Sequence, residues 1–225
     1  MSTSRARLAV LASGSGSNLQ AIYDDLQKRG AAAPAEVSLV VSDRKSAGAL
    51  ERARGWQIAA MHLPREGSET LGDLLTAHRI THVALAGYLR LIPVEVVRAF
   101  AGRMINVHPA LLPAFGGPGM YGQRVHEAVI ASGARVSGPT VHFVTEHYDE
   151  GAIIAQWPVP VQAADSPETL AARVLSAEHQ LYPWCVRALT SGTISLGTDG
   201  RTRGALPYQF TRFLPDTDDR HPFAG

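Results

Sequence analysis

The sequence predicts a single α/β domain on an open, Rossmann-like sheet, mostly parallel with antiparallel strands toward its C-terminal end. Three observations predict it. Up to residue 108, apolar runs of strand length alternate with segments of helical period. Those runs are continuously apolar rather than alternating, as expected of parallel strands covered on both faces. After residue 132 the alternation gives way to two strand-like runs joined by a polar loop.

In chain order, RLAVLA (7–12), EVSLVV (36–41), QIAAMHL (57–63), HVALAG (82–87) and MINVH (104–108) read as strands. Between them NLQAIYDDLQKRG (18–30), SAGALERARG (46–55), ETLGDLLTAHR (69–79) and PVEVVRAFAG (93–102) read as helices. Ser46 is placed to cap the second helix, Pro93 fits the first turn of the fourth, and glycines close several. Strand–helix–strand repetition of this kind gives a doubly wound parallel sheet. PTVHFV (139–144) and AIIAQWPVPV (152–161), joined by TEHYDEG, fit an antiparallel addition.

Residues 166–189 form one long helix, capped by Ser166 with Pro167 and Glu168 in its first turn. Pro183 is expected to kink it near Tyr182. From Gly192 the chain is rich in Gly, Pro and Asp, which suggests a surface strand or two and a frayed end. The expected division is a catalytic domain over 1–196 and a partly irregular tail over 197–225.

Bulk properties exclude several classes. The formal net charge is +1, from 21 basic and 20 acidic residues, so nothing in the balance argues for nucleic acid or a membrane surface as partner. Charged or glycine residues interrupt every apolar stretch before it reaches the length of a membrane span. A single cysteine, Cys185, excludes an internal disulfide and suits a reducing compartment. The polar start MSTSRAR and the short LAVLA that follows do not make a signal peptide. The expectation is a cytoplasmic protein, monomer or homodimer, acting on small molecules.

Three stretches carry candidate chemistry. SGSGSN (13–18) follows the first strand and opens a helix, a context in which backbone N–H groups can hold an anion. As a dinucleotide fingerprint it is defective, with Leu19 in the third glycine position, and by itself it fits a tight turn equally well. Asn106 and His108 stand two apart at a strand end, so both side chains share one face. An amide donor beside an imidazole suits a developing oxyanion; a strand-end histidine bonded to a nearby carbonyl is the simpler alternative. Asp149 lies in the polar loop and matters only if that loop folds over the strand end. His142 could be core or site. The histidines match no zinc spacing, and no metal is expected.

Taken together, ASGSGSNLQAI, AGYLRLIP, INVHPALLPAF, TVHFVTEHYDEGAII and ARVLSAEHQLYP, in this order, resemble the phosphoribosylglycinamide formyltransferase family, folate-dependent enzymes of purine biosynthesis. The resemblance runs from about residue 7 to 190. Its Asn-x-His…Asp set is shared with methionyl-tRNA formyltransferases and formyltetrahydrofolate hydrolases. A tRNA enzyme would need a basic extension, and a hydrolase a domain ahead of residue 7. A non-catalytic nucleotide-binding module would have no use for Asn106, His108 and Asp149 together.

The resemblance implies the formyltransferase fold, 10-formyltetrahydrofolate as cosubstrate and glycinamide ribonucleotide as acceptor, without a metal. It implies that Gly16, Ser17 and Asn18 hold the acceptor's phosphate and that Glu178 meets its amine. Leu89, Arg90, Leu91 and Ile92 would border the pterin. Thr145, Glu146, His147, Tyr148 and Asp149 would form the folate loop, with Asn106 also touching folate and Arg65 contacting it at a distance. Asn106 and a protonated His108 would donate to the oxyanion, with Asp149 holding the imidazole's charge.

Two departures from the family pattern stand out. The glycine-rich stretch 116–122 is longer than usual, with His126 as counterpart of a loop histidine and Tyr121 as a contact if the stretch closes over substrate. Leu175 stands where relatives carry a polar or basic residue. A cis peptide bond before Pro113 would suit the tight turn there.

Overall fold

A computed structural model describes residues 5–65 and 70–204. The expected helix start at Glu69 and the tail from residue 205 lie outside the described residues. The strands are β1 (Ala6–Leu11), β2 (Ala35–Ser42), β3 (Ala59–His62), β4 (His82–Leu85), β5 (Met104–His108), β6 (Val136–Ser137), β7 (Thr140–Phe143), β8 (Ile153–Gln156), β9 (Val159–Pro160), β10 (Ser195–Leu196) and β11 (Thr202–Arg203). The helices are α1 (Ser17–Arg29), α2 (Gly48–Gly55), α3 (Leu71–Ala77), α4 (Val94–Ala99), α5 (Gln123–Ala131) and α6 (Pro167–Thr190).

Seven strands form the main sheet in the order β3-β2-β1-β4-β5-β7-β8. The strands β1 to β5 are parallel, β7 adds antiparallel to β5, and β8 adds antiparallel to β7. The chain works outward from β1 to β3, then returns to place β4 on the other side of β1. The loops after β1 and β4 therefore part at the carboxyl edge, where open α/β sheets bind ligands.

Alternate residues of each strand feed two cores, one on each face. Leu8, Val10, Val40, Ala84, Ile105 and Val107 pack with α1, α2 and α6. Ala9, Leu11, Leu39, Val41, Val83, Leu85 and Met104 pack with α3 and α4. Both faces are covered, which is why the strands read as unbroken apolar runs.

Some local expectations change. Ser46 is exposed and does not cap α2; Ala47 takes the N-cap position without a side-chain bond. The helix start is set instead by packing on the loop after β1, where Ala49 N–H donates to Gly14 O at 3.2 Å. AIIAQWPVPV divides at Trp157–Pro158 into β8 and β9, and β9 leaves to pair with β6. Proline has no N–H to carry the ladder onward. Ser166 does cap α6, in a reciprocal capping box with Thr169, and α6 runs without interruption past Pro183. The Leu112–Pro113 bond is cis. The expected division after 196 falls within a β10–β11 hairpin, and Thr202 Oγ1 donates from it to Ile153 O of β8 at 2.7 Å.

One buried contact ties α6 to the sheet directly under the carboxyl edge. Tyr182 is fully buried, and its hydroxyl lies 2.8 Å from Leu85 O and 3.1 Å from Ile105 O, on adjacent parallel strands. Tyr182→Phe should cost about 1–3 kcal/mol, because it leaves a buried acceptor unpaired without changing packing. Urea unfolding would measure this, and an unchanged midpoint would show that the hydroxyl is not needed there.

Candidate active site

Side chains of β5 leave the core in a row. Met104 is buried against α3 and α4, and Asn106 and His108 continue its row past the edge those helices cover. There they line a cleft of about 670 Å³ at the carboxyl end of β4 and β5. Its walls come from the loop after β4, the 117–123 stretch, the loop around Asp149 and one face of α6.

The 145–149 loop does fold back over β5. Asp149 Oδ2 lies 3.5 Å from His108 Nδ1, and Asp149 Oδ1 lies 3.5 Å from His142 Nε2. Gly117 N–H donates to Oδ2 at 2.9 Å, so the glycine-rich stretch is fastened to the same carboxylate. His108 Nε2 donates to Phe115 O at 2.8 Å, which places the ring's hydrogen on Nε2. Asn106 Nδ2 is 3.1 Å from His142 Nε2. Phe115 and Asp149 both have positive φ, 55° and 56°. For non-glycine residues this costs on the order of 1–3 kcal/mol each, and such strain gathers at functional sites.

Electrostatics here bear on the charge of His108. Burial pulls the His108 pKa below its ordinary value; Asp149 and the Phe115 carbonyl push it up, and His142 adds to the lowering. Burial wins, so the resting imidazole is neutral near pH 7 rather than protonated. Burial also pushes the Asp149 carboxyl up. Against that, the neighbouring His142 and His108 rings and the Gly117 N–H hold it below the usual carboxylate range. His126 is buried beside these groups, lowered by burial and then by His108, and its Nδ1 has no partner.

In the same cleft, α1 meets α6. Asn18 Nδ2 donates to Glu178 Oε2 at 2.6 Å, both residues buried. Burial raises the Glu178 pKa to about 7, against the opposing bond from Asn18. Gly16 has φ 77°, and a Cβ there would stand 2.8 Å from Ala49 Cα. The loop glycine is therefore needed for close packing on α2.

Leu89, Arg90, Leu91, Ile92, Asn18, Asn106, His108, Thr145, His147, Tyr148, Asp149, Glu178, Leu175, His126 and Tyr121 all line the cleft. Gly16, Ser17, Arg65 and Glu146 are not among the lining residues. Arg65 is exposed, and Glu146 turns away to Arg98 at 2.7 Å. Glu168 and Ala171, which sequence reasoning passed over, also line it. The signal was available: 168, 171, 175 and 178 fall on one helical face. His142, left open by the sequence, joins the cluster.

Among the described residues no helix is long and apolar enough to cross a membrane. Residues 6–186 match the family model described as formyl transferase. The chain is 48% identical over 203 residues to a chloroplastic phosphoribosylglycinamide formyltransferase of Vigna unguiculata. That alignment covers 87% of this chain and 64% of the relative, so the chain spans less than two thirds of its length. Glycinamide ribonucleotide transformylase 1 of Symbiobacterium toebii superposes with a TM-score of 0.80 at 38% identity, covering 90% of this chain and 95% of that one. The phosphoribosylglycinamide formyltransferase of Anaplasma phagocytophilum gives 0.81 at 32% identity, covering 91% and 95%.

The raised Glu178 carboxyl has a thermodynamic consequence. Below pH 4.5 it is protonated whether the chain is folded or unfolded, and burial carries no ionic penalty. As pH rises toward 7 the unfolded chain ionises first, so the folded state loses relative stability, by up to about 3 kcal/mol. Glu178→Gln keeps the acceptor for Asn18 and cannot ionise. Its stability relative to the parent should climb between pH 4.5 and 7 and level off above. Parallel stability curves over that range would contradict the buried, ionisable pair.

Proposed function

The chain belongs to the formyl transferase family, and on that premise we propose that it transfers the formyl group of 10-formyltetrahydrofolate to the amine of glycinamide ribonucleotide. The products are formylglycinamide ribonucleotide and tetrahydrofolate. The observation that carries the reading is the convergence of Asn106, His108 and Asp149 in one cleft that Asn18 and Glu178 also line. A cleft of this size, with Leu89, Leu91, Ile92 and Val144 forming apolar wall, suits a flat, mostly apolar heterocycle.

In this reading the acceptor's phosphate lies at the Gly16–Asn18 turn, on the N-terminus of α1. Its amine faces Glu178. The amine nitrogen attacks the formyl carbon, and the carbonyl oxygen becomes an oxyanion. Asn106 donates to it through an amide N–H. His108 donates from Nε2, whose hydrogen a neutral ring also carries, once the formyl oxygen takes the place of the Phe115 carbonyl. Asp149 supplies negative charge behind the imidazole as the oxyanion forms, and its lowered pKa makes it an electrostatic partner rather than a strong base. The amine then loses a proton, the bond to N10 breaks, and N10 takes up a proton.

Positioning and oxyanion stabilisation supply the catalysis. The buried free thiol of Cys185 suits a reducing compartment such as the cytoplasm.

Tetrahydrofolate formation that depends on added glycinamide ribonucleotide is the test. Release of formate without acceptor would point to a hydrolase instead. Within that assay Asn106→Ala should fold normally and lose about 10²–10³ in turnover, the usual cost of one oxyanion donor. A variant with native circular dichroism and parental turnover would remove Asn106 from the reaction.

A further inference from the structure

We propose that His142 is a positioning residue for the reaction: it fixes the plane and orientation of the Asn106 amide. This rests on Asn106 being the oxyanion donor. Asn106 and His142 are directly opposed partners in the antiparallel β5–β7 pair. Opposed side chains share a face with Cβ atoms about 4.5–5.5 Å apart, close enough for their polar ends to meet. His142 is 2% exposed, so its ring nitrogens are answered by the protein rather than by water.

The ring's own bond sets its tautomer. His142 Nδ1 lies 2.8 Å from Phe143 O, and a carbonyl oxygen can only accept, so Nδ1 carries the hydrogen. Gly151 keeps that carbonyl in reach, because a Cβ on residue 151 would stand 1.7 Å from Phe143 O. In the neutral ring Nε2 is then a bare acceptor. Two groups lie near it, Asp149 Oδ1 at 3.5 Å and Asn106 Nδ2 at 3.1 Å. A carboxylate has nothing to donate. The amide does, so Nε2 takes one Nδ2 hydrogen of Asn106.

The consequence falls on the amide's other hydrogen. Asn side chains rotate easily between orientations that exchange their oxygen and nitrogen. With Nδ2 held by His142, the second N–H keeps a fixed direction in the cleft and the oxygen cannot swing into its place. A donor fixed beforehand stabilises developing charge without reorganisation, whereas a free one presents its oxygen, which repels the oxyanion, part of the time. Loss of His142 should therefore lower turnover more than substrate binding.

Two measurements test this. In ¹⁵N-histidine-labelled parent protein at assay pH, the ring signals absent from His142→Gln should show a protonated Nδ1 and a bare Nε2; a protonated Nε2 would overturn the proposal. In steady state, His142→Leu should lose about 10²–10³ in kcat, as for removal of one oxyanion donor, with KM for either substrate little changed. His142→Gln, whose Oε1 can stand where Nε2 was, should recover most of the loss. Adding Asn106→Ala to His142→Leu should cost nothing beyond Asn106→Ala alone. If Asn106→Ala is slow while His142→Leu keeps parental kcat, or if the two losses multiply, the proposal fails and the function stands. If Asn106→Ala is itself as fast as the parent, the functional reading fails first.

Discussion

The Asp149 carboxylate is the contact on which the rest of the site depends. Its two oxygens face two histidines from neighbouring strands, each at 3.5 Å, and the Gly117 N–H holds one of them from a third segment. Only the short 145–149 loop, with Asp149 in a left-handed conformation, brings the acid there. That strain, of order 1–3 kcal/mol, persists because the carboxylate is held from three sides. The glycine-rich stretch is thus part of the site, since it supplies the Gly117 N–H and the carbonyl of Phe115 that takes the His108 hydrogen.

A second framework lies beneath the first. α6 reaches the sheet through the Tyr182 hydroxyl at Leu85, the end of β4, and at Ile105, the residue before Asn106, and one turn earlier it presents Glu178 to Asn18 on α1. The same helix therefore fixes the strand ends that carry Asn106 and the corner proposed for the acceptor's amine. Two acids, Glu178 buried and Asp149 partly buried, behave in opposite ways. Glu178, with one amide partner, is pushed up to about 7, while Asp149, with two histidines and a backbone N–H, is held low. Burial acts on both in the same direction, and the partners decide the outcome.

Much of this was legible in the sequence, for reasons that differ by element. Most of the parallel strands were readable because both faces of the inner ones are covered, which leaves largely apolar runs such as LAVLA and LVV. The long helix was readable from Ser166 and Pro167. The α2 start was not, because contact with Gly14 and Ser15, far away in sequence, outweighs the local preference for Ser46. At the site, the two-residue spacing of Asn106 and His108 put both on one face. That Asp149 joins them, and that His142 completes the set, depends on how β7 and its loop return, which spacing alone does not contain. The balance at His108 was not legible for the same reason: the weight of burial against one carboxylate is a three-dimensional quantity.

The central claim is that Asp149 sets the proton affinity of His108. Titration of the His108 ring by NMR in the unliganded protein, parent against Asp149→Asn, tests it most directly. In the parent, His108 should titrate below the ordinary imidazole value of about 6.5, and in the variant it should titrate lower still, because burial remains and the only raising charge is gone. An unmoved or higher titration in the variant would contradict the account.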